Sequence, residues 1–362
     1  MTNKLANSEN DIAKIDALLK HEIPSYRQAY SDRSAWISAC LSELAYVRFN
    51  PLINDKNKAI LLERVTEAIN NDKKKDERKK KSLFTSIVES FSYDHEKEKK
   101  DLEETLETLS MELVKTFDEN GTQAILALNR KTNMLVLAFR GTESNSIKDI
   151  KADADARITK CDSGGMIHSG FLKAYDQVAL LIEKELKKDE YSKLPLFITG
   201  HSLGGALATI ATKKIKHSAG KSACYTFGSP RVGDEEWIEN IKTPIYRFVN
   251  AADCVTMLPP GDVTITVAGW FFQWIPHIGK PIRKWLLSKL GGYLHCGNMR
   301  YLTNCKRGQF DEAKVLYSVS LFYRIKGLLI KGLPWKHFLG DHSISIYRKK
   351  LAVVAERRNT IK

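Results

Sequence analysis

The sequence predicts an α/β fold: a mostly parallel central sheet flanked by helices, with a helical hairpin inserted near the amino terminus. Three observations predict it. From about Gly121 onward, short apolar runs alternate with helix-like stretches, the pattern that builds a parallel sheet covered on both faces. The 362 residues are 43% hydrophobic, enough for one large core with appendages. Finally, the apolar run Leu194–Thr199 turns directly into Gly200-His201-Ser202-Leu203-Gly204 and a helix-like Gly205–Ala211.

Residues 1–53 read as a helical segment packing on the main domain. Ile15, Leu18 and Leu19, then Trp36, Ile37, Leu41, Leu44 and Ala45, recur at near-helical spacing across 12–48. Residues 54–120 read as an inserted, charged helical hairpin. A charge run from Lys73 to Lys81 precedes Leu83, Phe84, Ile87, Val88 and Phe91 on one helical face. A second helix then carries Leu102, Leu106, Leu109 and Leu113 in a 4-3-4 seam. Residues 121–362 form the α/β domain, with strands expected at Ala124–Asn129, Met134–Phe139, Leu194–Thr199, Ala223–Phe227 and Ile245–Asn250. Met299–Thr303 is the expected last strand, Phe171–Leu186 a covering helix and Ser343–Val354 a closing one.

Net charge is +14, and its placement is uneven: Phe271–Lys362 holds 18 Lys and Arg against four acidic residues, which is the whole excess. A basic side of this kind favours an anionic partner such as a membrane surface. No recognisable nucleic-acid motif accompanies the charge, which argues against nucleic acid. The six cysteines form no C-x-x-C pair, so free thiols are expected rather than a zinc site or disulfide framework. The opening residues lack a basic-then-apolar secretion pattern, and no run approaches the roughly 18 apolar residues of a membrane span. The expectation is a cytoplasmic protein, peripherally membrane-bound, with export lacking a cleavable signal left open.

Where a buried strand turns sharply into a helix, the residue between them is strained and its side chain stands exposed at the sheet edge. Ser202 occupies that position, and the Leu203 N–H opens the helix toward the place where an oxyanion would form. A serine hydroxyl needs a histidine to take its proton and a carboxylate to hold that histidine. In α/β hydrolases the chain order is serine, acid, histidine. Asp253 follows the strand Ile245–Asn250 by one short loop, whereas Asp234 and Asp262 have no comparable strand end. Of the four later histidines, His277 and His295 precede the expected last strand. His342 is preferred over His337 because it directly precedes the closing helix. Phe139-Arg140-Gly141-Thr142 ends a strand at the same edge, where the Thr142 N–H can supply a second oxyanion donor.

These residues resemble the class 3 (fungal-type) lipase family of the α/β hydrolase superfamily. The similar stretches are LAFRGTE (137–143 with its preceding strand), IHSGFLKAY (167–175), ITGHSLGGALA (198–208), YTFGSPRVGD (225–234), YRFVNAADCVTMLPP (246–260), GYLHCGNMRYL (292–302) and DHSISIY (341–347), with SACLSELAY (38–46) before them. The resemblance implies Ser202, Asp253 and His342 as triad, Thr142 and Leu203 as oxyanion hole, and a lid at Ser146–Asp153. That stretch has Ile150 where many relatives carry tryptophan, and its charges argue against strong surface activation. Two insertions depart from the family, at about 263–290 and 304–339. Trp270, Trp274, Trp285 and Trp335 mix there with basic residues, as in an interfacial segment.

The expected activity is a serine carboxylester hydrolase of lipids, acting through an acyl-enzyme and needing no metal or organic cofactor. A glycerophospholipid in an anionic membrane is favoured over neutral triacylglycerol. The alternatives are an esterase of small soluble acyl esters and a non-catalytic membrane-binding protein that retains the fold.

Overall fold

A computed structural model describes residues 3–6, 8–22, 25, 28–51, 63, 93–141, 158–251, 253–259, 292–306, 308–320, 322–324 and 340–360. The charge run at 73–81, the lid stretch, Thr142, the 263–290 insertion, residues 325–339, His277, His337 and Asp262 lie outside them. The chain divides into two compact units, Met1–Lys4 with Val47–Thr105, and Leu5–Tyr46 with Leu106–Lys362. Within the first, Lys4 is tied to Glu98 at 2.8 Å and to Asp101 at 3.2 Å, and its backbone N–H donates to Thr105 Oγ1.

The second unit is built on a mixed eight-stranded sheet in the order β1-β2-β3-β6-β7-β8-β9-β10. Its strands are β1 (Glu112–Glu119), β2 (Thr122–Asn129), β3 (Met134–Phe139), β6 (Leu196–His201), β7 (Lys221–Phe227), β8 (Ile245–Asn250), β9 (Asn298–Leu302) and β10 (Val315–Tyr317). The run β3, β6, β7, β8, β9 is parallel, while β1, β2 and β3 pair antiparallel in succession and β10 pairs antiparallel with β9. A separate hairpin joins β4 (Ile158–Lys160) to β5 (Met166–His168).

Every residue of β3, β6 and β8 is buried, as near-continuous apolar runs in a two-faced sheet require. One face is covered by α4 (Ser169–Leu186) and α6 (Leu203–Lys214), whose Val178, Ile182, Leu207 and Ile210 share a core with Leu135, Leu137 and Ile198. The other is covered by α2 (Asp32–Leu44), preceded by α1 (Glu9–Leu19). Small residues let α2 approach the sheet closely: Ser42 Oγ lies 2.8 Å from Thr199 Oγ1. Outside α2 runs α8 (Ile344–Thr360), tied to it by Arg348–Glu43 at 2.5 Å and Arg358–Asp32 at 2.7 Å. Between α2 and α4 the chain forms α3 (His95–Thr108); α5 (Asp189–Ser192) and α7 (Glu235–Glu239) are short.

Four boundaries differ from the sequence expectation. The sheet begins at Glu112, not after Gly121, so β1 falls inside the stretch assigned to the inserted hairpin. The leucine seam stops at Leu109, because Ser110 at φ 56° ends the helix and puts Leu113 in β1. The serine strand runs on to His201, past Thr199. Met299–Thr303 corresponds to β9 but is not the last strand, since β10 returns beside it.

Candidate active site

Register brings four strand ends to one edge. Phe139 pairs with Gly200, His201 with Phe227, and Phe227 with Phe248, so the chain leaves β3, β6, β7 and β8 at a common level. Gly141, Ser202, Gly228 and Asp253 follow those ends, at the carboxyl side of parallel strands where open α/β sheets carry their ligands. Ser202 has φ 57° and ψ −127°, a strained backbone for a residue with a side chain, and it caps α6. The turn is tight enough that a side chain on Gly204 would run into the Phe139 carbonyl.

The three predicted side chains come together. His342 Nε2 lies 2.9 Å from Ser202 Oγ, and His342 Nδ1 lies 2.9 Å from Asp253 Oδ2. All three are buried. Because the carboxylate only accepts, Nδ1 carries the ring proton and Nε2 is free to accept from the serine hydroxyl. The Asp253 loop is locked by its own backbone: Val255 N–H donates to Oδ1 at 2.9 Å and Thr256 Oγ1 to the Asp253 carbonyl at 2.9 Å. Gly228, at φ +59°, is packed so closely that a Cβ there would lie 2.7 Å from Asp253 Oδ2 and 2.9 Å from His342 Nδ1.

Several supporting residues were not singled out from sequence. Tyr347, on the first turn of α8, donates to Asp253 Oδ2 at 2.5 Å and accepts from the Asn250 N–H at 2.9 Å. Burial, then the Asp253 charge, pushes its phenol far above the usual tyrosine range, so it stays a donor. One helical turn on, the buried Lys350 amine donates to Asn250 Oδ1 and to the Thr303 carbonyl, both at 2.6 Å. Asn250 Nδ2 then donates to the Asp341 carbonyl at 2.8 Å, fixing the residue before His342. On the other flank His201 Nε2 donates to the His342 carbonyl at 2.5 Å, and Tyr46 donates to His201 Nδ1 at 2.8 Å. Burial, then His342, holds the His201 imidazole well below the usual histidine range, which suits this neutral tautomer.

The remaining candidates fall elsewhere. Leu203 opens α6, where a helix leaves its first N–H groups without intrahelical partners. Thr142 lies outside the described residues; the preceding Gly141 lies beside the serine, where a Cβ on it would sit 3.2 Å from Ser202 Cβ. Asp234 caps α7, accepting from Trp237 N at 2.9 Å and Met166 N at 3.0 Å. His295 does not join the triad; burial, then Arg247, Arg231 and Arg324, holds it well below the usual histidine range. Among the described residues the six cysteines form no disulfide, no group of three His, Cys, Asp or Glu is placed to hold a metal, and no helix is long and apolar enough to cross a membrane.

Residues 136–263 match the family model described as Lipase (class 3). A secreted mono- and diacylglycerol lipase of Fusarium solani is 30% identical over 149 residues, covering 39% of this chain and 44% of that one. The chloroplastic phospholipase A(1) DAD1 of Arabidopsis thaliana is 32% identical over 149 residues, covering 34% and 33%. The lipase of Rhizomucor miehei is 31% identical over 180 residues, covering 45% and 48%. This chain thus spans about half the length, or less, of these curated relatives. Among solved structures, a mutant MDLA from Penicillium cyclopium aligns over 70% of this chain and 86% of its own, at 24% identity and a TM-score of 0.49. The segment that matches the class 3 lipase family model, 136–263, is the one that carries the serine turn and Asp253.

Proposed function

We propose that the protein is a serine carboxylester hydrolase of lipids, with glycerophospholipid in an anionic membrane as its favoured substrate. The observation that carries this reading is the unbroken line from Ser202 Oγ through His342 to Asp253, both contacts 2.9 Å, with Ser202 and Asp253 inside the segment that matches the class 3 lipase model. Ser202 attacks the ester carbonyl while His342 Nε2 takes its proton, and Asp253 holds the ring and stabilises the imidazolium. The Leu203 and Thr142 N–H groups receive the negative charge of the tetrahedral oxygen. His342 returns the proton to the departing alcohol, then activates a water that releases the fatty acid and restores Ser202. None of these steps calls for a metal or organic cofactor.

The choice of phospholipid rests on the basic carboxyl-terminal quarter, and the relatives named as diacylglycerol lipases and as a phospholipase A(1) support both ester classes. Six cysteines that form no disulfide support a reducing compartment, and the basic excess supports peripheral contact with an anionic membrane. A second reading, an esterase of small soluble esters, is favoured by the charged stretch Lys148–Asp155.

The deciding experiment is product analysis from mixed phospholipid and triacylglycerol vesicles, with wild type and Ser202→Ala. Loss of roughly a million-fold in turnover is expected for the variant. Fatty acid released by the variant at the wild-type rate refutes the mechanism, and no gain on vesicles over dissolved short-chain esters selects the second reading.

A further inference from the structure

Beside the Asp253 loop, three arginines lie within reach of one another's charge. Arg231, in the loop after β7, donates from Nη1 to the carbonyls of Met257 and Pro259, each at 2.5 Å. Arg324 donates from Nη2 to Thr256 Oγ1 at 2.5 Å. Both therefore clasp the single 3-10 turn Val255–Met257 that follows the acid. The third, Arg247, projects from the middle of β8. It is 6% exposed, and its Nε and Nη1 are buried without an acceptor among the described residues. Its cross-strand neighbours, Thr226 and Met299, offer no carboxylate.

None of the three makes an ion pair among the described residues. The carboxylate that acts on the group is Asp253, on Arg324, and it is already engaged with His342, Tyr347 and Val255. Burial, then Arg324 and Arg231, pushes Arg247 down to about 9, and burial, then Arg324, pushes Arg231 down to about 10. The field of the same three guanidiniums reaches His295. Burying like charges together without a partner is strongly unfavourable, so a fold that keeps them there is at its best with an anion among them. Guanidinium forks match the tetrahedral oxygens of phosphate, and Arg231, only half-buried, leaves the group an approach.

We propose that Arg231, Arg247 and Arg324 form a binding site for a phosphate group, set on the turn that carries Asp253. The occupant bridges the three guanidiniums and gives Arg247 the acceptors it lacks. It also acts on the triad, because the Thr256 hydroxyl that accepts from Arg324 is the one that donates to the Asp253 carbonyl. The phosphate has two sources, a phospholipid headgroup or free phosphate. The headgroup source rests on the phospholipid reading above; the site itself does not.

The test is thermal unfolding of the full chain while inorganic phosphate is titrated against chloride at matched ionic strength. Wild type is expected to show a saturable, phosphate-specific rise in Tm. Arg247→Met is expected to be more stable than wild type without phosphate and to lose the rise; Arg324→Gln, which can still donate to Thr256, is expected to lose it too and serves alone if the first variant does not fold. No phosphate-specific rise in wild type, or an equal rise in wild type and the folded variants, overturns the proposal. Hydrolysis of dihexanoyl phosphatidylcholine and of dihexanoylglycerol then separates the sources. If the headgroup is the ligand, free phosphate competes with the phospholipid alone, and Arg324→Gln raises KM about tenfold for it but not for the diacylglycerol. If free phosphate is the ligand, it changes both hydrolyses equally. A protein that shows the Tm rise yet cleaves neither ester keeps the phosphate site and loses the hydrolase reading.

Discussion

Tyr347→Phe tests how Asp253, the proposed triad acid, is held. The substitution removes one oxygen and leaves the ring in place, so packing against His201 and Phe227 persists. Two hydrogen bonds disappear: the 2.5 Å donation to Asp253 Oδ2 and the 2.9 Å acceptance from the Asn250 N–H. A bond to a charged acceptor contributes about 1.5–3 kcal/mol, and a buried N–H left without a partner costs about 1–3 kcal/mol. Together they predict a loss of about 3–5 kcal/mol in unfolding free energy, measured by urea titration at neutral pH. In activity the effect passes through Asp253, which keeps His342 and the Val255 N–H but loses the donor fixing Oδ2 from the α8 side. Misplacement of a catalytic group by about 1 Å costs about a hundredfold, so a partial displacement predicts a tenfold to hundredfold fall in the rate of Ser202 labelling by a fluorophosphonate. Wild-type stability and labelling in this variant would refute the reasoning. Lost stability with unchanged labelling would show that the phenol supports the fold without positioning the acid.

Gly228→Ala places a methyl 2.7 Å from Asp253 Oδ2 and 2.9 Å from His342 Nδ1 on a φ of +59°, so kcat should fall at least tenfold while KM holds, read by steady-state kinetics on a soluble ester. Lys350→Met removes the charged donor from Asn250 Oδ1 and the Thr303 carbonyl and should lower stability by about 2–4 kcal/mol in the same urea assay. His168, His201 and His295 are all held below their unfolded value, His168 at about 4 chiefly by burial. The unfolded chain therefore binds more protons than the native one below about pH 6.5. The stability these neutral rings represent is complete above that pH and falls as pH drops toward 4, by about 1.4 kcal/mol per pH unit per ring. His168→Gln should flatten the slope by about a third, measured by urea midpoints across that range.

The serine turn was legible because its chemistry leaves a local mark: a buried strand, two glycines and a helix with nothing between them. Asp253 was legible through its place after β8. The β1 strand was hidden because it is an edge strand, only Phe117 of which is fully buried, and the leucine spacing of the preceding helix runs into it through Leu113. Nothing in that spacing shows that Ser110 turns to positive φ. Lys350 was hidden for another reason. In the basic run Arg348-Lys349-Lys350 each residue reads as solvated, and only tertiary contact distinguishes Lys350, which is 1% exposed. Arg247 stands alone in the apolar run Ile245–Asn250, so the sequence did carry its anomaly, a charge in a strand that must be buried on both faces.

The supports of the site share one physical logic. The parallel strands bring Ser202 and Asp253 to the same level by register alone, but His342 arrives from the far end of the chain and has no strand partner to fix it. Its position is set instead by backbone anchors on both sides: Asn250 holds the Asp341 carbonyl, and His201 holds the carbonyl of His342 itself. Each anchor is in turn committed by a second residue, Lys350 for Asn250 and Tyr46 for His201. Tyr46 follows α2 and Lys350 lies on α8, and those two helices are bound to each other by the Arg348–Glu43 and Arg358–Asp32 pairs. The helix pair on the α2 face therefore does for the histidine what the sheet does for the serine and the acid. A disturbance of α2 or α8 that moves Tyr46 or Lys350 therefore reaches the Ser202–His342–Asp253 line through the placement of His342.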